Sequence, residues 1–385
     1  MGIFLGANQV GYVSTYNDLL EENSFLDRTI SNYNSDITTI GFNAFRGCSL
    51  LTVVNLPQVT TIKASAFGYC SSLTTVVSPQ VTTIDSYAFI SCNNLVSIDL
   101  SKVTTIGVSA FGYCSSLTTV NLPLVTTIGS YAFYACFLLT TVSLPQVTTI
   151  NNYTFYACHK LNSIFAPVCS NIGTNAFAYC SALSTVTFSS CKTISAGAFY
   201  SCSSLTTVNF PQCTSIDGGG SARYSNVTYN GAFTSCKHLS IISFPKVTFI
   251  GPAAFAYCSG LTQVNFPKAA IISGSYSTSV SKSSHYYFYG GAFTRCYNLS
   301  VASFPAAVKI SRYAFNQCYN LLSLYLLGSS VVNLQSTTAF RSTPISDYTT
   351  STGGVYGSIY VPASLYNSYI AATNWSVYSA RIVSV

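Results

Sequence analysis

Cysteine is the residue of this chain with the widest chemistry, because a thiolate can ligate a metal, pair in a disulfide or act as a nucleophile. The 385 residues include fifteen cysteines but only three histidines and nine acidic residues. Twelve of the cysteines lie three positions after a recurring phenylalanine. The other three, Cys169, Cys191 and Cys213, lie fourteen positions after it, where other copies of the pattern carry valine. A position that accepts either cysteine or valine is typical of a small buried hydrophobic residue.

Disulfides and metal ligation remain alternatives at this point. Parallel stacked repeats hold equivalent Cβ atoms about 4.8 Å apart, whereas a disulfide prefers about 3.8 Å, so pairing between neighbouring repeats would be strained. Zinc sites commonly use Cys-x-x-Cys pairs, and the chain contains no such pair. We therefore favour buried structural thiols and predict no metal and no cofactor.

The other reactive residues form no catalytic pattern. His159, His238 and His285 fall in different repeats, and no acidic residue is placed to orient any of them. Asp85 and Asp99 are fourteen residues apart on different predicted strands. The glycines at 218–220 lack the following Gly-Lys-Ser/Thr of a phosphate-binding loop. We expect no enzymatic activity.

Composition excludes several further classes of protein. The chain is 49% hydrophobic and 14% aromatic, which is incompatible with disorder, yet only 6% charged. No apolar run reaches the roughly 18–20 residues that cross a bilayer. Five of the nine acidic residues precede residue 37, so residues 1–36 carry −4 and the remainder +11. No cluster of lysine or arginine could grip a nucleic-acid backbone, so we predict no nucleic-acid partner.

An internal repeat organises most of the chain. An Ala-Phe pair, with threonine once replacing alanine, recurs seven times at intervals of 22 residues, then at intervals of 34, 22, 38 and 22, and in a degenerate copy after 25 more. The phenylalanines are Phe45, Phe67, Phe89, Phe111, Phe133, Phe155, Phe177, Phe199, Phe233, Phe255, Phe293, Phe315 and Phe340.

Each repeat predicts two short β-strands, around 73–77 and 81–84 in the clearest copy. Alternation places Val76 inward and Thr75 and Val77 outward. The segment between Phe67 and the first strand predicts a compact turn or a single helical turn. One repeat is too short to bury its own apolar side chains, so the repeats must stack with like residues in columns, as a solenoid.

The repeat resembles the BspA-like, or Treponema pallidum-type, leucine-rich repeats. Their pattern Ile-Gly-x-x-Ala-Phe-x-x-Cys-x-x-Leu-x-x-Val-x-Leu-Pro stands almost intact at 106–123, and the resemblance covers about residues 38–340. It implies a leucine-rich-repeat solenoid, β-rich with short helical turns and about 12–13 repeats of 22 residues. We expect an N-terminal head over 1–36, the solenoid over 37–347 and a C-terminal cap over 348–385, whose helix carries Leu365, Tyr369 and Trp375 over the last repeat.

Two insertions interrupt the rhythm, near 217–231 and 273–291, and add 12 and 16 residues at the same point of the repeat. We expect them to emerge from the same edge. Their tyrosine, serine, glycine and asparagine content is typical of binding surfaces, although tolerated surface loops would also fit. The predicted ligand-binding residues are Arg223, Tyr224, Tyr229, Tyr276, His285, Tyr286, Tyr287 and Tyr289.

The outward face of the first strands is a second predicted surface. It is hydroxyl-rich and uncharged except for Asp99, and it suits either a partner or plain solvent exposure. Its two columns are Val53, Thr75, Ser97, Thr119, Thr141, Ser163, Thr185 and Thr207, and Asn55, Val77, Asp99, Asn121, Ser143, Phe165, Thr187 and Asn209.

The first residues, Met1–Gly6, have neither the basic region nor the apolar run of a signal peptide. Residues Ile3–Val10 resemble short leader segments of phage structural proteins. We therefore expect a non-catalytic recognition protein outside the cell, on a phage tail or virion, which binds a cell-surface glycan or protein. Residues 1–36 would provide virion attachment or homo-oligomer contacts, without membrane insertion. A bacterial surface or secreted adhesin and a structural spacer or filament subunit are the alternatives.

Overall fold

The computed structural model describes residues 2–5, 9–12, 29–30, 38–218, 231–275, 290–346 and 356–385. These residues form two compact units. Unit 1 comprises Met1–Cys169 and Ala176–Leu183, and unit 2 comprises Ser170–Asn175 and Ser184–Val385. Each unit is built from the same repeat.

The longer strand of each repeat pairs in parallel with its equivalents, in register, so that Val54 lies beside Val76. The predicted alternation is confirmed, because Val76 is buried between exposed Thr75 and Val77. In unit 1 these strands are Thr29–Ile30, Val53–Asn55, Thr75–Val77, Ser97–Ile98, Thr119–Asn121, Thr141–Ser143 and Ser163–Phe165. In unit 2 they are Thr185–Thr187, Thr207–Asn209, Ile241–Ser243, Gln263–Asn265, Val301–Ser303, Ser323–Tyr325, Ser358–Val361 and Ile382–Ser384.

The shorter strands also pair in parallel, with every inward residue an isoleucine except the last, Leu334. In unit 1 they are Thr39–Ile40, Thr61–Ile62, Thr83–Ile84, Thr105–Ile106, Thr127–Ile128 and Thr149–Ile150. In unit 2 they are Asn171–Ile172, Thr193–Ile194, Ser215–Ile216, Phe249–Ile250, Ile271–Ile272, Lys309–Ile310 and Asn333–Leu334.

The N-terminal residues also contribute strands. Gly2–Leu5 and Gln9–Tyr12 pair as an antiparallel hairpin. Thr29–Ile30 pairs in parallel with Val53–Asn55, so the longer-strand ladder begins within the predicted head.

The segment from the column phenylalanine to the next strand is a chain of hydrogen-bonded turns without helix. The residues two before and two after Phe67, Ser65 and Tyr69, have φ of 55° and 64° in the left-handed region, which interrupts any helical run. Successive turns close with bonds such as Gly68 N–H to Ser65 O, 3.1 Å. Every second N–H group instead donates to the following repeat. Those of Ser65, Phe67 and Tyr69 bond to the carbonyl oxygens of Ser86, Ala88 and Ile90, respectively.

The core consists of columns of like side chains, as the repeat predicts. Adjacent column phenylalanines in unit 1 stack with ring centroids 5.2–5.6 Å apart, and Phe45 is the first. Phe340 stacks on Phe315 at 5.7 Å, which confirms it as a thirteenth copy.

The helices of the described residues all lie near the C-terminus: the 3-10 helices Thr337–Phe340, Ala363–Leu365 and Ser376–Arg381, and the α-helix Tyr366–Ala371. Of the three residues predicted on one helix, only Tyr369 lies on the α-helix; Leu365 ends the 3-10 helix before it, and Trp375 precedes the 3-10 helix after it. Tyr369 and Trp375 are buried, whereas Leu365 is only half-buried. Trp375 Nε1 donates to Val332 O at 2.6 Å, and Asn374 Nδ2 donates to Leu334 O at 2.7 Å. These side chains thus satisfy carbonyls at the last short strand, where a further repeat would have supplied N–H groups.

Candidate recognition surfaces

The eight predicted ligand-binding residues, Arg223, Tyr224, Tyr229, Tyr276, His285, Tyr286, Tyr287 and Tyr289, lie outside the described residues. Their role stays a prediction. The structure does describe where both insertions leave and rejoin unit 2.

Both insertions rejoin unit 2 two residues before a column phenylalanine, at Gly231 and Gly291. A Cβ on Gly231 would overlap the carbonyl oxygen of Ala253, so the backbones there approach too closely for a side chain. Ala253 N–H in turn donates to Gly290 O at 3.1 Å. The second insertion opens as an antiparallel pair, Gly274–Ser275 with Gly290–Gly291. The described stems therefore flank one column position, in agreement with a shared edge.

The outward face of the longer strands is exposed, as predicted, and rich in hydroxyl groups. Thr75, Thr119 and Thr141 are all exposed. The face also carries isolated apolar side chains, such as Phe165, which is 57% exposed. The face offers contact area to a partner.

Unit 1 carries a tyrosine-lined cleft on its turns. Its volume is about 520 Å³. Val108, Ser109 and Gly112 line it together with tyrosines from four successive repeats. Its aromatic and remaining apolar lining residues are Tyr87, Ile90, Tyr113, Tyr131, Tyr134, Tyr153 and Tyr156.

Two columns of tyrosine rings form one wall of the cleft. Tyr131 stacks on Tyr153 with centroids 4.7 Å apart and planes 4° apart, and Tyr134 stacks on Tyr156 at 4.9 Å and 1°. The backbones of Tyr131 and Tyr153 adopt the left-handed conformation, with φ of 60° and 56°, because both residues lie two positions before the column phenylalanine. The turn geometry thus places these side chains outside while the phenylalanine faces the core.

Two phenols of the cleft, those of Tyr131 and Tyr134, have a raised pKa. Burial, followed by the neighbouring phenols of Tyr113 and Tyr156, raises the pKa of Tyr134 to about 12. Burial, followed by Tyr153, also raises the pKa of Tyr131. A neutral phenol both donates and accepts hydrogen bonds. No lysine, arginine, aspartate or glutamate lines the cleft in the described structure, so its chemistry suits an uncharged ligand with an apolar face and polar edges.

The cysteines, in contrast, face inward. All fifteen are described as free thiols, fourteen of them buried and Cys48 half-buried. In the column three residues after phenylalanine, buried thiols donate to the carbonyl of the preceding repeat's phenylalanine, for example Cys70 Sγ to Phe45 O at 3.0 Å and Cys114 Sγ to Phe89 O at 3.2 Å. Burial raises the pKa of these thiols well above the ordinary value. A buried protonated thiol is a poor nucleophile, so the structural role that the sequence favours agrees with this geometry.

The described histidines bind the main chain. His159 Nδ1 lies 3.0 Å from Tyr179 O, and its ring stacks on Phe137 at 5.3 Å. His238 Nδ1 lies 2.6 Å from Ser203 O. His285 is outside the described residues. Among the residues that the structure describes, no three histidine, cysteine, aspartate or glutamate side chains come together.

Sequence reasoning missed the tyrosine cleft. Its signal was present, because tyrosine stands two residues before the column phenylalanine at 87, 131 and 153, and one residue after it at 134 and 156.

Comparison with known proteins identifies the repeat. The family model described as BspA type Leucine rich repeat region (6 copies) matches residues 20–139, 126–229 and 226–354. No curated protein matches the chain. In the described part of the chain, no helix has the length and apolar character needed to cross a bilayer.

Three solved structures are similar to this chain. A leucine-rich repeat protein from Bacteroides ovatus is 21% identical and covers 83% of this chain and 97% of its own, with a TM-score of 0.45. A leucine rich cell surface protein from Faecalibacterium prausnitzii is 24% identical, with coverages of 79% and 87% and a TM-score of 0.37. The leucine-rich repeat protein of Treponema pallidum is 28% identical, with coverages of 40% and 76% and a TM-score of 0.38.

Proposed function

We propose, from the premise that this chain belongs to the BspA type leucine-rich-repeat family, that it is a non-catalytic recognition protein which binds a glycan or a protein on a cell surface. The observation that carries the proposal is the uncharged, tyrosine-lined cleft of unit 1. Concave sites lined by aromatic rings and a few polar groups are typical of ligand binding.

The placement of reactive groups supports a binding role over catalysis. The thiols are buried with raised pKa values, and the described histidines contact main-chain carbonyls. The surface that remains offers aromatic rings and hydroxyl groups. Rigid tyrosine rings supply contact area at low entropic cost, which suits recognition.

The insertions stay a second proposed contact surface. The glycine-rich stems at Gly231 and Gly290–Gly291 bring both insertions out beside the Ala253 position of unit 2. Tyr224, Tyr286 and Tyr287 would then share one ligand surface. Changing all three to serine should abolish attachment through that surface while thermal stability stays nearly unchanged, because no core column contains them.

We further propose an extracellular setting, on a phage tail or virion. The resemblance of Ile3–Val10 to phage leader segments supports this setting, and residues 1–36 would attach the protein to the particle. A bacterial surface or secreted adhesin is the alternative, supported by the family and by the similar cell surface protein of Faecalibacterium prausnitzii. Immunogold labelling with an antibody to this chain distinguishes the two by marking either phage particles or bacterial envelopes.

The recognition role is tested with the full chain on a glycan array and on bacterial cells. The wild type should bind at least one glycan or cell type. The double variant Tyr131→Ser with Tyr134→Ser should lose binding if the cleft is used, and the triple insertion variant should lose it if the insertions are used. Tyr69→Ser is the matched control, because Tyr69 is an exposed turn tyrosine outside the cleft lining.

The structural-spacer alternative predicts a different outcome. In that case the wild type would bind no glycan and no cell, and would instead assemble into fibres visible by electron microscopy. That pair of results would overturn the recognition role.

A further inference from the structure

The tyrosine columns of unit 1 have a gap one repeat wide. In the column two residues before phenylalanine, Ser109 stands between Tyr87 and Tyr131, each 22 residues away. In the column one residue after it, Gly112 stands before Tyr134. The repeat of Phe111 therefore contributes a low floor between taller neighbours.

The walls of this gap are a tyrosine and an isoleucine on one side and two tyrosines on the other. Ile90 Cγ1 lies 3.8 Å from where a Cβ on Gly112 would be, so Ile90 borders the floor directly. The ring of Tyr113 closes one end, 5.2 Å from the Tyr134 ring and tilted by 59°. All these residues line the same cleft.

The width of the gap corresponds to one ring. Successive tyrosines in these columns stack 4.7–4.9 Å apart, and two parallel repeats span about 9.6 Å. A six-membered ring held midway would lie about 4.8 Å from the wall on either side, within the range of ring stacking.

We infer that this gap binds one hexopyranose ring of a neutral glycan, an assignment that rests on the proposed recognition function. The apolar C–H face of a pyranose meets the electron-rich faces of tyrosine rings. Its hydroxyl rim meets neutral phenols that donate and accept. An aromatic side chain of a peptide would stack equally well but would leave those phenols without partners, and an anionic sugar would find no cation in the lining.

Filling the gap with a tyrosine tests the assignment. Ser109→Tyr would complete the column, and the fold should accept it, because tyrosine already occupies the equivalent left-handed positions at 87, 131 and 153. Gly112→Tyr is a second filling variant, since its Cβ would make only ordinary contacts, the nearest 3.4 Å from Ser109 O. Ser65→Tyr is the matched control, because Ser65 holds the same repeat position, with φ of 55° against 51° for Ser109, but lies outside the cleft lining.

The probes are neutral trisaccharides of glucose, galactose, mannose and N-acetylglucosamine, one uronic-acid trisaccharide and the peptide acetyl-Gly-Phe-Gly-amide, titrated by calorimetry. At least one neutral trisaccharide should bind the full chain, and both filling variants should weaken it about tenfold or more while Ser65→Tyr leaves it unchanged. Unchanged binding by folded filling variants, or tighter binding of the peptide or the uronic acid, would overturn the assignment. Binding of the wild type to cells or proteins but to no neutral sugar would also overturn it while leaving the recognition role intact.

Discussion

Units 1 and 2 use the same repeat but place their additional aromatic rings on opposite sides of it. In unit 2 a second phenylalanine column is buried beside the first, at Phe188, Phe210, Phe244, Phe266 and Phe304. The two columns pack edge to face, as where Phe210 meets Phe233 at 6.2 Å and 67°. The equivalent positions of unit 1 are Leu56, Ser78, Leu100, Leu122, Leu144 and Ala166.

In unit 1 the additional rings are tyrosines on the turns, where they line the cleft. The difference shows that a fixed repeat leaves two independent choices, the size of an inward residue and the identity of the turn residues. Unit 2 adds aromatic contacts to the core that anchors the insertions. Unit 1 keeps a simpler core and carries its rings where a ligand can reach them.

The largest expected effect is a loss of stability at high pH, which the buried thiols of both units should cause. Burial raises the pKa of Cys213, Cys236 and Cys296 to about 12 each. The folded state therefore keeps protons that the unfolded state releases above pH 9, so stability is full below that pH and falls as pH rises toward 12. Each such thiol should lower the free energy of unfolding by about 1.4 kcal/mol per pH unit in this window.

Circular dichroism during denaturant unfolding from pH 7 to 11 measures this loss. Since both units carry the thiol column, both should lose stability together. A free energy of unfolding that stays constant to pH 10.5 would contradict burial of the thiols.

Deleting one core ring should destabilise the two units by different amounts. Phe111 stacks on two rings, whereas Phe233 contacts four, those of Phe199, Phe210, Phe244 and Phe255. Phe111→Ala should cost about 3–5 kcal/mol, and Phe233→Ala about 1–3 kcal/mol more, because edge-to-face pairs are lost as well. Equal losses in denaturant unfolding would show that the second phenylalanine column adds nothing to unit 2.

Ser78 allows the opposite change, an improvement of the core of unit 1. Its side chain is buried in a column that is otherwise apolar, and its hydroxyl has no hydrogen-bond partner. Ser78→Leu should raise the free energy of unfolding by about 1–2 kcal/mol, because leucine fills the position in four other repeats of unit 1 and the orphaned hydroxyl is removed. The control is Ser72→Leu, since Ser72 is a neighbouring serine that is not buried. A loss of stability in Ser78→Leu would mean that the column is too narrow there.

The smallest effect distinguishes the two cysteine columns. Cys191→Val should change stability by less than about 0.5 kcal/mol, because valine occupies that column in most other repeats and the hydrogen bond from Cys191 Sγ, to Thr193 O at 3.3 Å, stays within its own repeat. Cys114→Val should cost about 1–2 kcal/mol, because it removes the hydrogen bond from Sγ to Phe89 O. Similar values for both variants in thermal unfolding would show that the hydrogen bond between repeats, from Cys114 Sγ to Phe89 O, adds nothing beyond the local bond of Cys191.

The repeat allowed most of the fold to be predicted, because a period of 22 residues with fixed apolar positions has few stacked solutions. Val76 faces inward, Phe340 closes the phenylalanine column and Tyr369 and Trp375 cover the last strand, all as the sequence indicates. The sequence does not predict the turn conformation, because neither serine nor tyrosine, the residues at 65 and 69, favours a positive φ. Those residues adopt it because their N–H groups bond to the next repeat.

The cleft could not be predicted in the same way. It arises because the repeat of Phe111 has small residues, Ser109 and Gly112, in two columns where the neighbouring repeats have large ones. Its depth depends on the turn geometry, which directs the tyrosine side chains outward. The binding residues predicted in the insertions, from Arg223 to Tyr289, stay predictions.

A count of reactive thiols tests most directly the claim that this repeat keeps its reactive groups inside and offers only a surface. A thiol reagent added to the native chain should modify at most Cys48, the one half-buried cysteine, and after unfolding it should modify all fifteen. Modification of several native thiols, or a total below fifteen after unfolding, would contradict the account.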